Sequence, residues 1–310
     1  MRLNDKISAL FAAQVAEWET AARNYEALRR TEIRTFDVDG YTFRLQYNPE
    51  RIRSSAANVD TTVIRQRPCF LCAANRPAEQ QGIDCLGHYT VLVNPYPIFP
   101  RHLTIIDQRH IGQRIENRFG DMLEFARNLP DFVVFYNGAN CGASAPDHAH
   151  FQAGNKGFLP IEQEIIRRPH IPLVRGNGDA TLFSLHGDLR HALIMASSSA
   201  DNLAELFDRV YRVVGEMVNI LAWYINGRYL VCVFPRKSHR PRCFGQGEGQ
   251  FTVSPAAVDL GGVLITPIER DFQLLTQVDL RQILQDVCID RAQFQIFVQQ
   301  IKEQQINVAV

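Results

Sequence analysis

The stretch Tyr136-Asn137-Gly138-Ala139-Asn140-Cys141-Gly142-Ala143-Ser144-Ala145-Pro146-Asp147-His148-Ala149-His150-Phe151-Gln152 sets two histidines and a glutamine behind a run of small residues. From His148 to Ala153 polar and apolar residues roughly alternate, which is the pattern of a strand. On a strand, period two places His148, His150 and Gln152 on one face. The small residues ahead of them let backbone amides approach a phosphate closely. An imidazole held there can attack phosphorus while its neighbours orient it and hold the phosphoryl oxygens. Two polar histidines on a solvent-facing strand edge, or a metal site made of both, also satisfy the alternation.

Outward from this stretch, strand and helix signals alternate. Strand-like runs occur at Tyr41 to Gln46, Tyr89 to Asn94, Leu103 to Asp107 and Phe132 to Tyr136, with a helix expected from Gly112 to Leu129. Leu3, Ile7, Leu10, Phe11, Val15, Trp18 and Ala22 recur at helical spacing, so the N-terminus reads as an amphipathic helix packed on the body. A turn-rich stretch, Arg168 to Asp188, suggests a boundary: residues 1–190 as one unit and 191–310 as a second. The second unit opens with a strand at His191 to Ala196 and a long helix from Asn202 to Trp223. Strands at Tyr229 to Phe234 and Gly262 to Thr266 follow, then helices at Asp279 to Val287 and Arg291 to Gln304. No sequence repeat is visible, yet both units mix strands with a long helix. An α+β architecture fits this better than a doubly wound parallel sheet.

With 310 residues, 46% of them hydrophobic, the chain is long enough to bury a core. Its 33 basic residues balance 33 acidic ones, so no net positive field argues for nucleic acid or a membrane surface as partner. No run reaches the roughly 18 to 20 apolar residues of a membrane span, and no signal-peptide core opens the chain. Seven cysteines, an odd count, then fit a reducing, cytoplasmic setting with thiols or metal ligands in place of disulfides. Cys69-Phe70-Leu71-Cys72 can chelate one tetrahedral zinc given two more ligands. Two buried thiols or a redox pair are the other readings of that spacing.

With its Cys-x-x-Cys and the later His-x-His-x-Gln, the sequence resembles the galactose-1-phosphate uridylyltransferase branch of the histidine-triad (HIT-like) superfamily. The resemblance is clear from Cys69 to Glu164. It implies an antiparallel sheet with packed helices in two HIT-like halves, and a structural zinc held by Cys69, Cys72, His110 and His148. It further implies that His150 becomes nucleotidylated and that Gln152 holds a phosphoryl oxygen. Asn94, Asn137, Gly142 and Ser144 fall where the family contacts the nucleotide, and Arg51 and Arg53 where it places arginines near the phosphates. A homodimer stays open, because the family often builds its site across one.

There are two departures from the family pattern. Ala149 replaces the proline of His-Pro-His, and Asp147 lengthens the loop by one residue. In addition, Phe151-Gln152-Ala153 followed by Phe158-Leu159-Pro160-Ile161-Glu162 is closer to the GDP-hexose phosphorylases, whose acceptor is inorganic phosphate. Gln152 is neutral and cannot act as a proton-transfer acid, which favours transfer over hydrolysis. The reading is a nucleotidyltransferase of nucleoside diphosphate sugars or sugar 1-phosphates, working by double displacement. The alternatives are a nucleotide-sugar or dinucleotide phosphorylase, and a zinc-containing nucleotide-binding protein without catalysis. The basic cluster Arg236, Lys237, His239, Arg240 and Arg242 is either a site for the acceptor's phosphate or a solvated turn.

Overall fold

Short β-rich runs separated by turns pair with their chain neighbours, and the product here is antiparallel sheet. The computed structural model describes residues 2–52, 56, 60–167, 171–185 and 189–306. The strands of the first part of the chain are β1 (Glu32–Val38), β2 (Tyr41–Tyr47), β3 (Gly82–Cys85), β4 (Tyr89–Val93), β5 (His102–Asp107), β6 (Phe132–Asn137) and β7 (His150–Asn155). The rest are β8 (Ile171–Arg175), β9 (Thr181–Leu185), β10 (Ala192–Ser197), β11 (Val218–Ile225), β12 (Arg228–Pro235) and β13 (Val263–Thr266).

Strands β3 to β12 form one ten-stranded sheet in the order β3-β4-β5-β7-β6-β11-β12-β10-β9-β8. The order repeats from each edge inward, as β3-β4-β5-β7-β6 and as β8-β9-β10-β12-β11. Each five-strand unit carries a helix at the same point, Phe119–Asn128 between β5 and β6 and Ala200–Val214 between β10 and β11. The two units meet at β6 and β11, where Asn137 lies opposite Asn219. β8 pairs with β9 and β9 with β10, so the second unit starts ahead of the boundary at 190 that composition suggested. A separate three-stranded sheet, β1-β2-β13, contains a parallel pair, β2 with β13.

The two faces of the large sheet are covered differently. One face packs under the helices Leu3–Glu17, Phe119–Asn128, Ala200–Val214 and Arg291–Ile306, burying Phe125, Phe151, Phe207, Ile220 and Val231. On the other face, Leu221, Cys232 and Phe234 of the second unit join a core that includes Phe43, Leu45 and Leu264 of the small sheet and Ile283 and Leu284. The first unit carries a cavity on that same face. Phe151 fixes this arrangement, because its ring is fully buried under the helices, which is worth about 1.5–3 kcal/mol. A slip of one residue would drive His150 into that core, so register and site are set together.

Several expected elements end elsewhere. The helix expected from Asn202 to Trp223 stops at Val214, because Gly215 takes φ +71° and the following residues become β11. Its apolar run Val218 to Trp223 suits either form, and pairing with β6 and β12 decides it. The helix expected from Gly112 begins only at Phe119. The N-terminal helix breaks into Leu3–Glu17 and Glu19–Arg29 at Trp18, whose indole is buried with Ala21, Tyr25 and Val93. Strand β7 starts at His150, so His148 precedes the strand and does not share the face of His150 and Gln152.

Candidate active site

The turn at residues 69–75 is closed by a hydrogen bond from the Cys72 amide to the Cys69 carbonyl and by one from the Asn75 side chain to the same carbonyl. His148 approaches this turn from the chain just ahead of β7. Its Nε2 lies 2.7 Å from the Asp107 carbonyl oxygen. A carbonyl only accepts, so Nε2 carries the proton and Nδ1 presents its lone pair. That lone pair sits 3.4 Å from Cys69 Sγ and 3.5 Å from Cys72 Sγ, while His110 Nδ1 is 3.3 Å from Cys72 Sγ. The four donor atoms all lie within 4.8 Å of one another. Bonds of 2.0–2.3 Å to a tetrahedral ion need donor separations of about 3.3–3.8 Å, so the set can hold a metal. Burial and the adjacent Cys69 raise the Cys72 thiol, and a cation between them would offset both effects.

His150 is 4% exposed and lines the cavity. Its backbone N–H donates to Gln113 Oε1, and the Gln113 amide donates in turn to the carbonyls of His150 and Asn137. Gln113 thereby clamps the ends of β6 and β7 together. The imidazole Nδ1 donates to the His148 carbonyl at 2.8 Å, which leaves Nε2 as a free lone pair. Burial lowers this histidine to about 4, so the ring is neutral at pH 7. A neutral, oriented imidazole is a nucleophile. Gln152, two residues on, lines the same cavity and stands opposite Thr104 of β5 and Phe135 of β6.

The cavity measures about 750 Å³, within the range of about 300–1,000 Å³ usual for small-ligand sites. Asn94, Asn137, Gly142, Ser144 and Arg51 all line it. Asn94 Oδ1 accepts from the Tyr96 amide, and its Nδ2 donates to Thr104 Oγ1. Asn137 Oδ1 accepts from Asn219 and from the Ala257 amide, so its own NH₂ is the end left for a ligand. Gly142 has φ +90°, and a Cβ there would lie 2.6 Å from that of Ala256. The loop thus reaches the opposite wall because a hydrogen replaces a methyl. Arg51 donates to the Tyr96 carbonyl, while its buried Nε has no partner among the described residues. Desolvation lowers its guanidinium to about 10, and the nearby Asp259 offsets part of that cost. Arg53 lies outside the described residues.

Arg236 and Lys237 do not line the cavity, and Arg236 is spent on the fold. Its guanidinium donates to the carbonyls of Val287, Pro255, Ser238 and His239 and to Asn219 Oδ1, which uses all five N–H groups. Lys237 is exposed. The cations among the described cavity residues are Arg51 and Arg67. Arg67 was not anticipated. It pairs with Asp147 at 3.0 Å and covers the Phe70 ring, joining the cysteine turn to the histidine loop. Trp18, Gln113 and Asp259 were also missed.

Solved structures share this architecture. Yeast Ap4A phosphorylase Apa2 superposes with a TM-score of 0.63 at 16% identity, over 94% of this chain and 99% of that one. The same yeast enzyme in complex with Ap4A gives 0.60 at 14% identity, over 93% and 97%. The fold is HIT-like. Two sequence families match the chain in tandem: a domain of unknown function, DUF4922, over residues 10–155, and the GDPGP1-like C-terminal domain over residues 173–307. No curated protein matches the sequence. No described helix is long and apolar enough to cross a membrane.

Proposed function

We propose that this chain is a nucleotide phosphorylase that works through a nucleotidyl-histidine on His150. The observation that carries the reading is the neutral His150 imidazole, held by the His148 carbonyl, with its free Nε2 in the cavity that Gln152 also lines. In the first step the Nε2 lone pair bonds to the α-phosphorus of a nucleoside diphosphate sugar or dinucleotide. The bond to the bridging oxygen breaks, and the distal phosphate group leaves with its electron pair. Asn137, Gln152 and Arg51 hold the oxygens on which charge develops. In the second step an oxygen of inorganic phosphate attacks the same phosphorus and frees Nε2, giving a nucleoside diphosphate.

Inorganic phosphate is favoured over a sugar phosphate as acceptor on two grounds. The C-terminal part matches the GDPGP1-like domain, and one structural neighbour is an Ap4A phosphorylase. Moreover, Arg236 and Lys237, read from the sequence as either a site for the acceptor's phosphate or a solvated turn, stand off the cavity. The Cys69, Cys72, His110 and His148 cluster fits zinc, which with four protein ligands would be structural and would stiffen the approach to β7.

Mixing the protein with labelled GDP-, ADP- and UDP-hexoses and with Ap4A should yield a phosphoramidate adduct in at least one case. His150→Asn should abolish it, and inorganic phosphate should discharge it faster than any hexose 1-phosphate. If none of these nucleotides leaves an adduct, the catalytic reading is refuted.

A further inference from the structure

The two ends of the Gln152 amide have the same shape and opposite hydrogen-bonding character, so the end that meets a ligand is set by what holds the other. One layer behind it lies His102 of β5, fully buried. The Ile98 backbone N–H donates to His102 Nδ1 at 3.1 Å. A backbone N–H cannot accept, so Nδ1 is the lone-pair nitrogen and the ring's single proton is on Nε2. That Nε2 lies 3.0 Å from Gln152 Oε1. The rings of Phe99 and Phe135 pack against the imidazole at centroid distances of 5.5 and 5.8 Å and hold it in place. Burial, with Arg51 nearby, lowers His102 to about 3, so it keeps one proton at neutral pH.

We infer that His102 is a positioning residue that captures Gln152 Oε1 and so turns the Gln152 NH₂ toward the phosphoryl group in the cavity. The assignment rests on the phosphorylase reading for its consequence, though not for its geometry. A reversed amide would set a carbonyl oxygen against a phosphoryl oxygen. Donation by Gln152 is then lost even though the residue is present.

Two measurements test this. Side-chain ¹⁵N NMR of the wild-type protein at pH 7 should show His102 as the Nε2–H tautomer. An Nδ1–H tautomer or an imidazolium would overturn the assignment, whether or not the protein is an enzyme. In single-turnover assays with the nucleotide found to label His150, His102→Phe should slow adduct formation about 10- to 100-fold with little change in nucleotide affinity. His102→Gln, which keeps a donor near the Nε2 position, should recover most of the rate. In a Gln152→Ala background, His102→Phe should slow the reaction no further. A folded His102→Phe as fast as wild type, or losses that multiply in the double variant, would overturn the proposal. If His102→Phe fails to fold, the His102→Gln rate and the tautomer decide. If the wild type forms no adduct, the functional reading fails and the tautomer alone decides His102.

Discussion

Asp259 is buried in the cavity wall, and burial raises its carboxyl to about 6 although the Ala256 and Ile265 amides donate to it. The sign of its effect on stability follows. The folded state binds this proton more tightly than the unfolded chain does, where the group titrates near 3.8. Its contribution is therefore full below about pH 4, falls as the pH rises to about 6 and is constant beyond, a loss of about 3 kcal/mol. Urea unfolding of wild type and Asp259→Asn between pH 4 and 8 should show the variant gaining on the wild type by that order across pH 4 to 6. A difference that stays flat with pH would refute the assignment. Residues such as His150, Gln152, Cys69 and Cys72 are legible in the sequence because local spacing carries them. His102, Gln113 and Asp259 are not. Gln113 reaches its partner at His150 37 positions away, and His102 reaches Gln152 across 50, separations at which no local pattern survives.

At the level of elements, the loop ahead of β7 depends on one close approach. Gly142→Val would combine strain at φ +90° with a Cβ 2.6 Å from the Ala256 methyl. A loss of about 1–3 kcal/mol and a marked fall in adduct formation are expected from thermal melts and labelling. Adding Ala256→Gly should return part of the stability by removing the methyl, and no recovery would show that the contact is not the cause. The strands around this loop were readable from their apolar runs, whereas β11 was not. Val218 to Trp223 buries every residue, and such a run carries neither period two nor period 3.6. β1 was missed for the opposite reason: all of it but Val38 is exposed or half-buried.

Across the whole molecule, the two five-strand units match in topology but not in chemistry. On the face where β7 carries His150 and Gln152, β12 carries Cys232 and Phe234, which are packed into core. One site per chain follows: elemental analysis should give one zinc per chain, and exhaustive labelling one nucleotide. Cys69→Ser should lose the metal and lower the melting temperature, since an ion held there would join the cysteine turn to the strand approach. Two metals per chain, or a metal-free wild type, would contradict this. The repeat left no trace in residue spacing, because the same topology is built from unrelated side chains, and it was the family resemblance that implied two halves.

The join at β6 and β11 has a bearing on how the protein behaves when scarce. Because the ten strands belong to one polypeptide, each unit's neighbour is tethered to it and cannot drift away. Turnover per molecule should hold constant as the protein is diluted from micromolar to low nanomolar concentrations. A falling rate would mean that a second copy completes the site.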